Sequence, residues 1–491
     1  MSETPLKVCL VAAEATPLAK TGGLGDVTTA LVRYLGARGV DVRLFLPFYG
    51  TIDRGAGFVP VEFLQDIPVD LGAHRATFSG WTGVLEGASA EIYLIDCPEL
   101  FGRQTIYTED PDEHMRFALF SMAALECCQR MGWSPDVVHC NDWHTALLPL
   151  YLRTLYAWDQ RFAATSTVLT IHNIGHHGIF PADAIADLGL AGHRDLLDQD
   201  ELAAGRVNFL STGVLYADWL TTVSPTHASE IQGDDLGMGL GPLVRRRNDH
   251  LIGILNGVDY QDWSPETDRY LTHRYGAKDL DGKERNKREL LEGLSLSYRR
   301  DAPALGIVSR LAGQKGIDLL MSVLPPFLAS RDIRFVALGS GEARYEEFFT
   351  ALQSRYPDRV CFYNGFSNEL AHRIEAGCDI FLMPSLYEPC GLNQMYSLRY
   401  GTPPIVRRTG GLADSVELFD SATGEGTGFV FEHYTAEALS WALDYALATF
   451  PDRPLWRRLM RNGMARDFSW ESQIEIYLEL YRHLRAGALS R

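Results

Sequence analysis

The chain has 491 residues, 46% hydrophobic and 22% charged, with no apolar run near the ~20 residues that a membrane-spanning helix needs. A formal net charge of −18 argues against general nucleic-acid binding, which rewards a basic surface, yet allows a locally basic pocket for a small phosphorylated ligand or a neutral polymer partner. Eight cysteines, none spaced Cys-x-x-Cys, mostly lie in apolar runs and point to neither disulfides nor zinc. The stretch Met1 to Lys7 lacks a basic region followed by an apolar core, so a cytoplasmic location is expected.

The length exceeds what one hydrophobic core usually supports and predicts two large domains. Runs at 8–13, 41–46, 91–96, 137–140, 167–171, 220–223 and 251–255 read as strands of a parallel sheet, with helices over 25–37, 114–130, 145–154 and 203–216. The pattern restarts with strands at 305–309, 334–338, 360–363, 380–383 and 404–406, alternating with helices near 316–328, 343–354, 369–376 and 391–400. The expected architecture is α/β, with two Rossmann-like doubly wound domains over 1–253 and 254–469 facing across a deep cleft. A final segment, 470–491, carries a broad helical face with Ile474, Ile476, Tyr477, Leu478, Leu480 and Tyr481, which predicts that it packs back on the first domain.

Two hexapeptides differ at one position: Thr21-Gly-Gly-Leu-Gly-Asp26 and Thr409-Gly-Gly-Leu-Ala-Asp414. Each follows a short apolar run, where a buried strand hands over to a loop. Paired glycines uncover backbone N–H groups, and a helix starting just after adds its positive dipole end, so both loops suit an anion such as phosphate. A plain tight turn is the alternative for either copy alone.

Ser309-Arg-Leu-Ala-Gly-Gln-Lys-Gly316 follows the first strand of the second domain and opens a helix. Arg310 and Lys315 are placed to converge on one anion across a glycine-containing loop, the alternative being two solvated cations. Glu388 lies in a Pro-bounded turn before a predicted helix, where it can accept hydrogen bonds from sugar hydroxyls or simply cap the helix. Cys390 reads as a reactive helix-end thiol or as a packed small residue. His172, His176 and His177 cluster after a strand without zinc spacing, so His172 is read as a polar contact to substrate and no metal is expected.

Seven segments together carry a resemblance: Lys20 to Val27, Asn141-Asp-Trp-His144, Thr170-Ile-His-Asn173, Asn256-Gly-Val-Asp259, Ser309 to Gly316, Glu388 to Gln394 and Arg407 to Leu412. Their order resembles the glycogen and starch synthase family of glycosyltransferases, which has the two-domain GT-B fold. The resemblance implies retaining transfer of glucose from a nucleotide sugar, usually ADP-glucose in bacteria, to the nonreducing end of an α-1,4-glucan, with no cofactor. It implies that Lys20, Arg310 and Lys315 handle the donor diphosphate, with backbone N–H groups from Gly22 and Gly23 and from Thr409, Gly410 and Gly411. It puts Glu388 near the donor glucose with Cys390, Gly391 and Leu392 beside it, makes His172 and Asn256 sugar contacts, and sets Glu14, Asp26 and Tyr107 on the acceptor side. Phe366 stands where a tyrosine often stacks on the base. Ser211-Thr212 and Gly239-Leu-Gly-Pro242 depart from the family pattern in the acceptor groove.

Other readings stay open at this level. A related retaining transferase could use UDP-glucose, and an idle glucan-binding protein could keep the fold. A nicotinamide dehydrogenase rests only on Gly339-Ser-Gly341, which is not Gly-x-Gly-x-x-Gly.

Overall fold

The computed structural model describes residues 4–85, 87–88 and 90–489. The chain forms two compact units. The first runs to Val223, resumes over Ala228–Gly257 and ends with the segment from Trp470; the second comprises Ser224–His227 and Val258–Ser469.

The first unit holds β1 Lys7–Val11, β2 Asp41–Pro47, β3 Val59–Pro60, β4 Ile67–Leu71, β5 His74–Val84, β6 Glu91–Asp96, β7 Val137–Asn141, β8 Ser166–Ile171, β9 Ile179–Pro181, β10 Arg206–Asn208, β11 Trp219–Thr222 and β12 Leu251–Gly253. Its main sheet runs β12-β11-β8-β7-β1-β2-β6-β5-β3, parallel from β12 to β6 and antiparallel beyond, with β4 paired to β5. β7 and β8 are buried at every position, as strands covered on both faces must be, which explains their continuous apolar reading. β4 instead alternates, with Ile67, Val69 and Leu71 buried and Pro68 and Asp70 exposed, the signature of a one-sided antiparallel strand.

Those antiparallel strands differ from the wholly parallel sheet expected. The expected helix over 203–216 also divides. Arg206–Asn208 pairs with Ile179–Pro181, and the helix begins at Phe209, where Asn208 Oδ1 accepts the Ser211 amide at 3.0 Å.

The second unit holds β13 Ala304–Val308, β14 Arg334–Gly339, β15 Val360–Asn364, β16 Ile380–Met383, β17 Pro404–Arg407 and β18 Phe429–Phe431. All six pair in parallel in the order β15-β14-β13-β16-β17-β18. That is the doubly wound order in which the winding direction reverses between the first and fourth strands.

The unit boundaries shift from those expected. Gly257 rather than 253 ends the first unit's run, and Ser224–His227 joins the second. The reason is local bonding: Ser224 Oγ donates to the Pro389 carbonyl at 2.6 Å, and Thr226 N and Oγ1 donate to the Asp414 carboxylate at 2.8 and 2.7 Å.

The helix Trp470–Leu489 lies in the first unit. Ile474, Tyr477, Leu478 and Tyr481 are buried, and Tyr34 stacks on Trp470 at 6.3 Å. Tyr481 OH contacts His139 Nδ1 on β7 at 2.7 Å, His139 Nε2 contacts Thr170 Oγ1 on β8 at 2.6 Å, and Thr170 Oγ1 contacts Thr221 Oγ1 on β11 at 2.5 Å. A buried polar chain thus ties this helix to three successive strands. The last two positions of the segment expected over 470–491 lie outside the described residues.

Candidate active site

In the second unit the strand order reverses between β13 and β16, and the loops beyond their carboxyl ends are laced together. The Leu386 amide donates to the Gln314 carbonyl at 2.8 Å, and Gln314 Nε2 donates to the Tyr387 carbonyl at 3.2 Å. Gly316 has φ +73°, and a Cβ there would overlap the Pro384 carbonyl oxygen, so only glycine lets these loops approach. This close approach brings Lys315 to Glu388. Lys315 Nζ donates to both carboxylate oxygens, at 2.9 and 2.7 Å, and Ser385 Oγ donates to the same group at 3.0 Å. Glu388 is 7% exposed, whereas Arg310 projects into solvent and pairs with no carboxylate among the described residues.

The loop after β17 braces this arrangement. The Gly411 amide donates to the Glu388 and Pro389 carbonyls, both at 3.1 Å. A Cβ at Gly410, where φ is +42°, would overlap the Glu388 carbonyl oxygen, and one at Gly411 would overlap that of Cys390. From the sequence both glycines are expected to offer amides to an anion. In the structure they let two backbones touch, and the Gly411 amide is already used. Thr409 and Cys390 are buried, Gly391 turns at φ +72° against Gln394, and Leu392 is half-buried. Burial makes Cys390 a packed residue. Phe366 is 82% exposed, directly after Gly365 at φ +137°.

In the first unit the order reverses between β1 and β7. Glu14, beyond β1, is 3% exposed and accepts four hydrogen bonds: from the Thr21 amide at 2.7 Å, Thr21 Oγ1 at 2.6 Å, the Gly22 amide at 3.1 Å and Tyr107 OH at 2.7 Å. The expected use of the Gly22 amide for an external anion is corrected by this: the chain's own carboxylate occupies it. Lys20 Nζ is likewise held by Asp26, at 2.8 and 2.7 Å, and Thr16 Oγ1 donates to the same carboxylate at 2.9 Å. Gly22 and Gly23 face open space, with no atom within 4 Å of where a side chain would begin.

Beyond β7, Asp142 adopts φ +54° and ψ −173°, a region that non-glycine residues avoid at a cost of about 1–3 kcal/mol. The strain is held by bonding: the Asp142 amide donates to the Thr170 carbonyl at 2.9 Å, and Asp142 Oδ1 accepts the His172 amide at 2.7 Å. His172 Nε2 lies 2.9 Å from Asn141 Oδ1. Burial pushes the Asp142 carboxyl up to about 7 despite the amides of His172 and Asn173. Burial pulls the His172 imidazole down to about 4 against the opposing pull of Glu14, and it holds His144 well below the usual range. Tyr107 stacks on His144 with centroids 4.7 Å apart. His144 Nδ1 and Asn256 Oδ1 are buried without a hydrogen-bond partner among the described residues.

Each sheet therefore brings its own set together at its reversal point. Glu14, Lys20, Asp26, Tyr107 and His172 group in the first unit; Lys315 joins Glu388 in the second, with Arg310 exposed on the same loop. Sequence reasoning passed over Asn141, Asp142 and His144 as site residues. The available signal was the run Asn141-Asp-Trp-His144 directly after a buried strand. Among the described residues, no three histidine, cysteine or acidic side chains are grouped to hold a metal ion.

The starch synthase catalytic domain family matches residues 7–246, and the family of glycosyl transferases group 1 matches residues 297–463. The chain is 44% identical to the glycogen synthase of Koribacter versatilis, over 97% of this chain and 98% of that protein. It is 45% identical to the glycogen synthase of Anaeromyxobacter dehalogenans strain 2CP-C, over 98% of this chain and 100% of the relative. Among solved structures, the catalytic domain of starch synthase IV from Arabidopsis thaliana, bound to ADP and acarbose, matches with a TM-score of 0.90 at 34% identity, covering 98% of this chain and 100% of that one. The chain belongs to the glycogen and starch synthase family of glycosyltransferases and has its two-domain GT-B fold.

Proposed function

We propose that the protein lengthens an α-1,4-glucan at its nonreducing end, taking glucose from ADP-glucose with retention of anomeric configuration. The observation that carries this reading is the Lys315–Glu388 pair at the reversal of the second sheet, with Arg310 on the same loop. Breaking a glucosyl–phosphate bond leaves negative charge on the diphosphate, and preorganised cations act most strongly where that charge develops. Arg310 and Lys315 supply such cations from one loop. Glu388, buried beside them, orients the glucose and stabilises its oxocarbenium-like state. Retaining glycosidases set a second carboxylate about 5 Å away as nucleophile. The reaction proposed here instead runs on one face, with the departing phosphate taking the acceptor's proton.

The bacterial relatives named glycogen synthase, and the plant enzyme seen with ADP and acarbose, support this donor and acceptor. Asn256 and His172 contact sugar, Phe366 stacks on the base, and Glu14, Asp26 and Tyr107 line the acceptor side. The scheme uses no metal or cofactor, ADP-glucose being a substrate, and places the enzyme in the cytoplasm without a nucleic-acid partner. The test is purified protein with glycogen and labelled ADP-glucose or UDP-glucose. Incorporation from ADP-glucose is expected; incorporation from neither overturns the reading, and a preference for UDP-glucose overturns the donor assignment.

A further inference from the structure

Asn141 closes β7 between β1 and β8, and its amide reaches both neighbours. Nδ2 donates to the Val11 carbonyl at 3.1 Å, and Oδ1 faces His172 Nε2 at 2.9 Å. A carbonyl oxygen accepts only, so the Val11 contact fixes which end of the amide turns toward the histidine. Reversing the amide would set two carbonyl oxygens against each other. Asn141 is itself held at its backbone. Its backbone amide donates to Thr145 Oγ1 at 2.6 Å, and that hydroxyl donates to the Asn141 backbone carbonyl at 3.0 Å. Asn141 is fully buried, and the His172 amide is pinned to Asp142 at 2.7 Å.

We propose that Asn141 is a positioning residue that fixes the His172 imidazole as the Nε2–H tautomer, leaving Nδ1 as a hydrogen-bond acceptor for a hydroxyl of the transferred sugar. A side-chain amide oxygen can be met at 2.9 Å only by a ring N–H. A neutral imidazole carries one N–H, so Nδ1 holds a lone pair and takes no hydrogen bond from the described residues. The low basicity of this ring, near 4, keeps it neutral at physiological pH. The charged and titratable groups around it are Glu14 beyond β1, and His139, Asp142 and His144 on and beyond β7. An acceptor nitrogen repels phosphate oxygens and attracts hydroxyl protons. His172 is therefore assigned to a sugar hydroxyl and not to the leaving diphosphate. The choice of hydroxyl partner rests on the glucosyl-transfer reading above; the tautomer does not.

The experiment is imidazole nitrogen NMR of histidine-labelled protein, with the His172 signals assigned by loss in His172→Gln. The wild type should show a protonated Nε2 and an unprotonated Nδ1 at neutral pH. In Asn141→Leu the proton should redistribute between the nitrogens. The kcat/KM for ADP-glucose should fall on the order of tenfold to a hundredfold, with the glucan KM unchanged. Asn141→Asp keeps an acceptor and should restore the tautomer. Its carboxylate should also raise the basicity of the ring, so activity falls on the acid side at a higher pH than in the wild type. A protonated Nδ1 in the wild type, or Asn141→Leu with kcat/KM within about twofold of wild type, overturns the proposal. If Asn141→Leu does not fold, the wild-type spectrum and the pH profile of Asn141→Asp decide. Absence of transfer by the wild type would overturn the functional reading while leaving the tautomer measurement intact.

Discussion

Lys315 spans both carboxylate oxygens of Glu388, at 2.9 and 2.7 Å, so this half-buried cation at the second sheet's reversal is paired within its own unit. On the function proposed above, a diphosphate bound there would compete with Glu388 for Lys315. Glu388→Gln should lower kcat about a hundredfold to a thousandfold and leave no trapped glucosyl-enzyme, as read by steady-state kinetics and intact-mass spectrometry. Lys315→Ala should cost a similar factor. The double variant should lose little more than either single one, because the two groups act as a unit. Additive losses, or a covalent adduct in Glu388→Gln, would contradict that coupling.

The polar groups beyond β7 and β8 set opposing pH dependences. Asp142, raised to about 7, keeps in the folded state a proton that the unfolded chain releases near 4. It therefore costs stability as pH rises from about 4 to 7, by up to about 1.4 kcal/mol per pH unit. His172, lowered to about 4, and His139, lowered to about 3, do the reverse: the unfolded chain takes up protons below about 6.5 that the fold refuses. Three buried histidines, His139, His144 and His172, outweigh the two raised carboxyls, Asp142 and Glu375, so the protein should lose stability as pH falls from 6.5 toward 4. Asp142→Asn should raise Tm at pH 8 and steepen the acid loss. Thermal melts across pH 4–8 check both signs.

The paired glycines of the two hexapeptides should respond differently to alanine. Gly410→Ala and Gly411→Ala drive a methyl into the Glu388 and Cys390 carbonyls, so each should destabilise the protein by at least about 1–3 kcal/mol and displace Glu388. Gly22→Ala and Gly23→Ala meet no atom within 4 Å and should leave denaturation midpoints nearly unchanged. Any effect there should fall on substrate KM.

Asn256 Oδ1 is buried yet has no hydrogen-bond partner among the described residues, so a truncation that usually costs about 1–3 kcal/mol should cost little here. Asn256→Ala should keep the wild-type urea midpoint and raise the KM for ADP-glucose. A large stability loss with unchanged kinetics would make Asn256 purely structural.

Strands such as Ile380–Met383 were readable residue for residue because a parallel strand buried on both faces is apolar throughout. His74–Val84 was not. Its Gly80 and Gly83 make room for Leu64 and Phe58, neighbours that a local pattern cannot reveal. In the candidate site, Arg310, Lys315 and Glu388 could be picked out because they lie in the loops that follow the apolar strands Ala304–Val308 and Ile380–Met383. The roles of Asn141 and Glu14 were hidden, since they depend on β7 lying beside β1 and on a carboxylate folding back onto amides seven and eight residues later. The second Gly-Gly pair was read as the twin of the first, although close backbone approach explains it.

The helix Trp470–Leu489 completes a unit whose other parts were made far earlier in the chain, while Val258–Ser469 forms an almost uninterrupted unit of its own. Every residue of the later unit precedes the last piece of the earlier one in the chain. Until Tyr481 arrives, His139 on β7 lacks its phenol partner. A chain truncated after Ser469 and released should hold a protease-resistant second unit and a protease-sensitive first one, so in this chain the half made first is the half completed last.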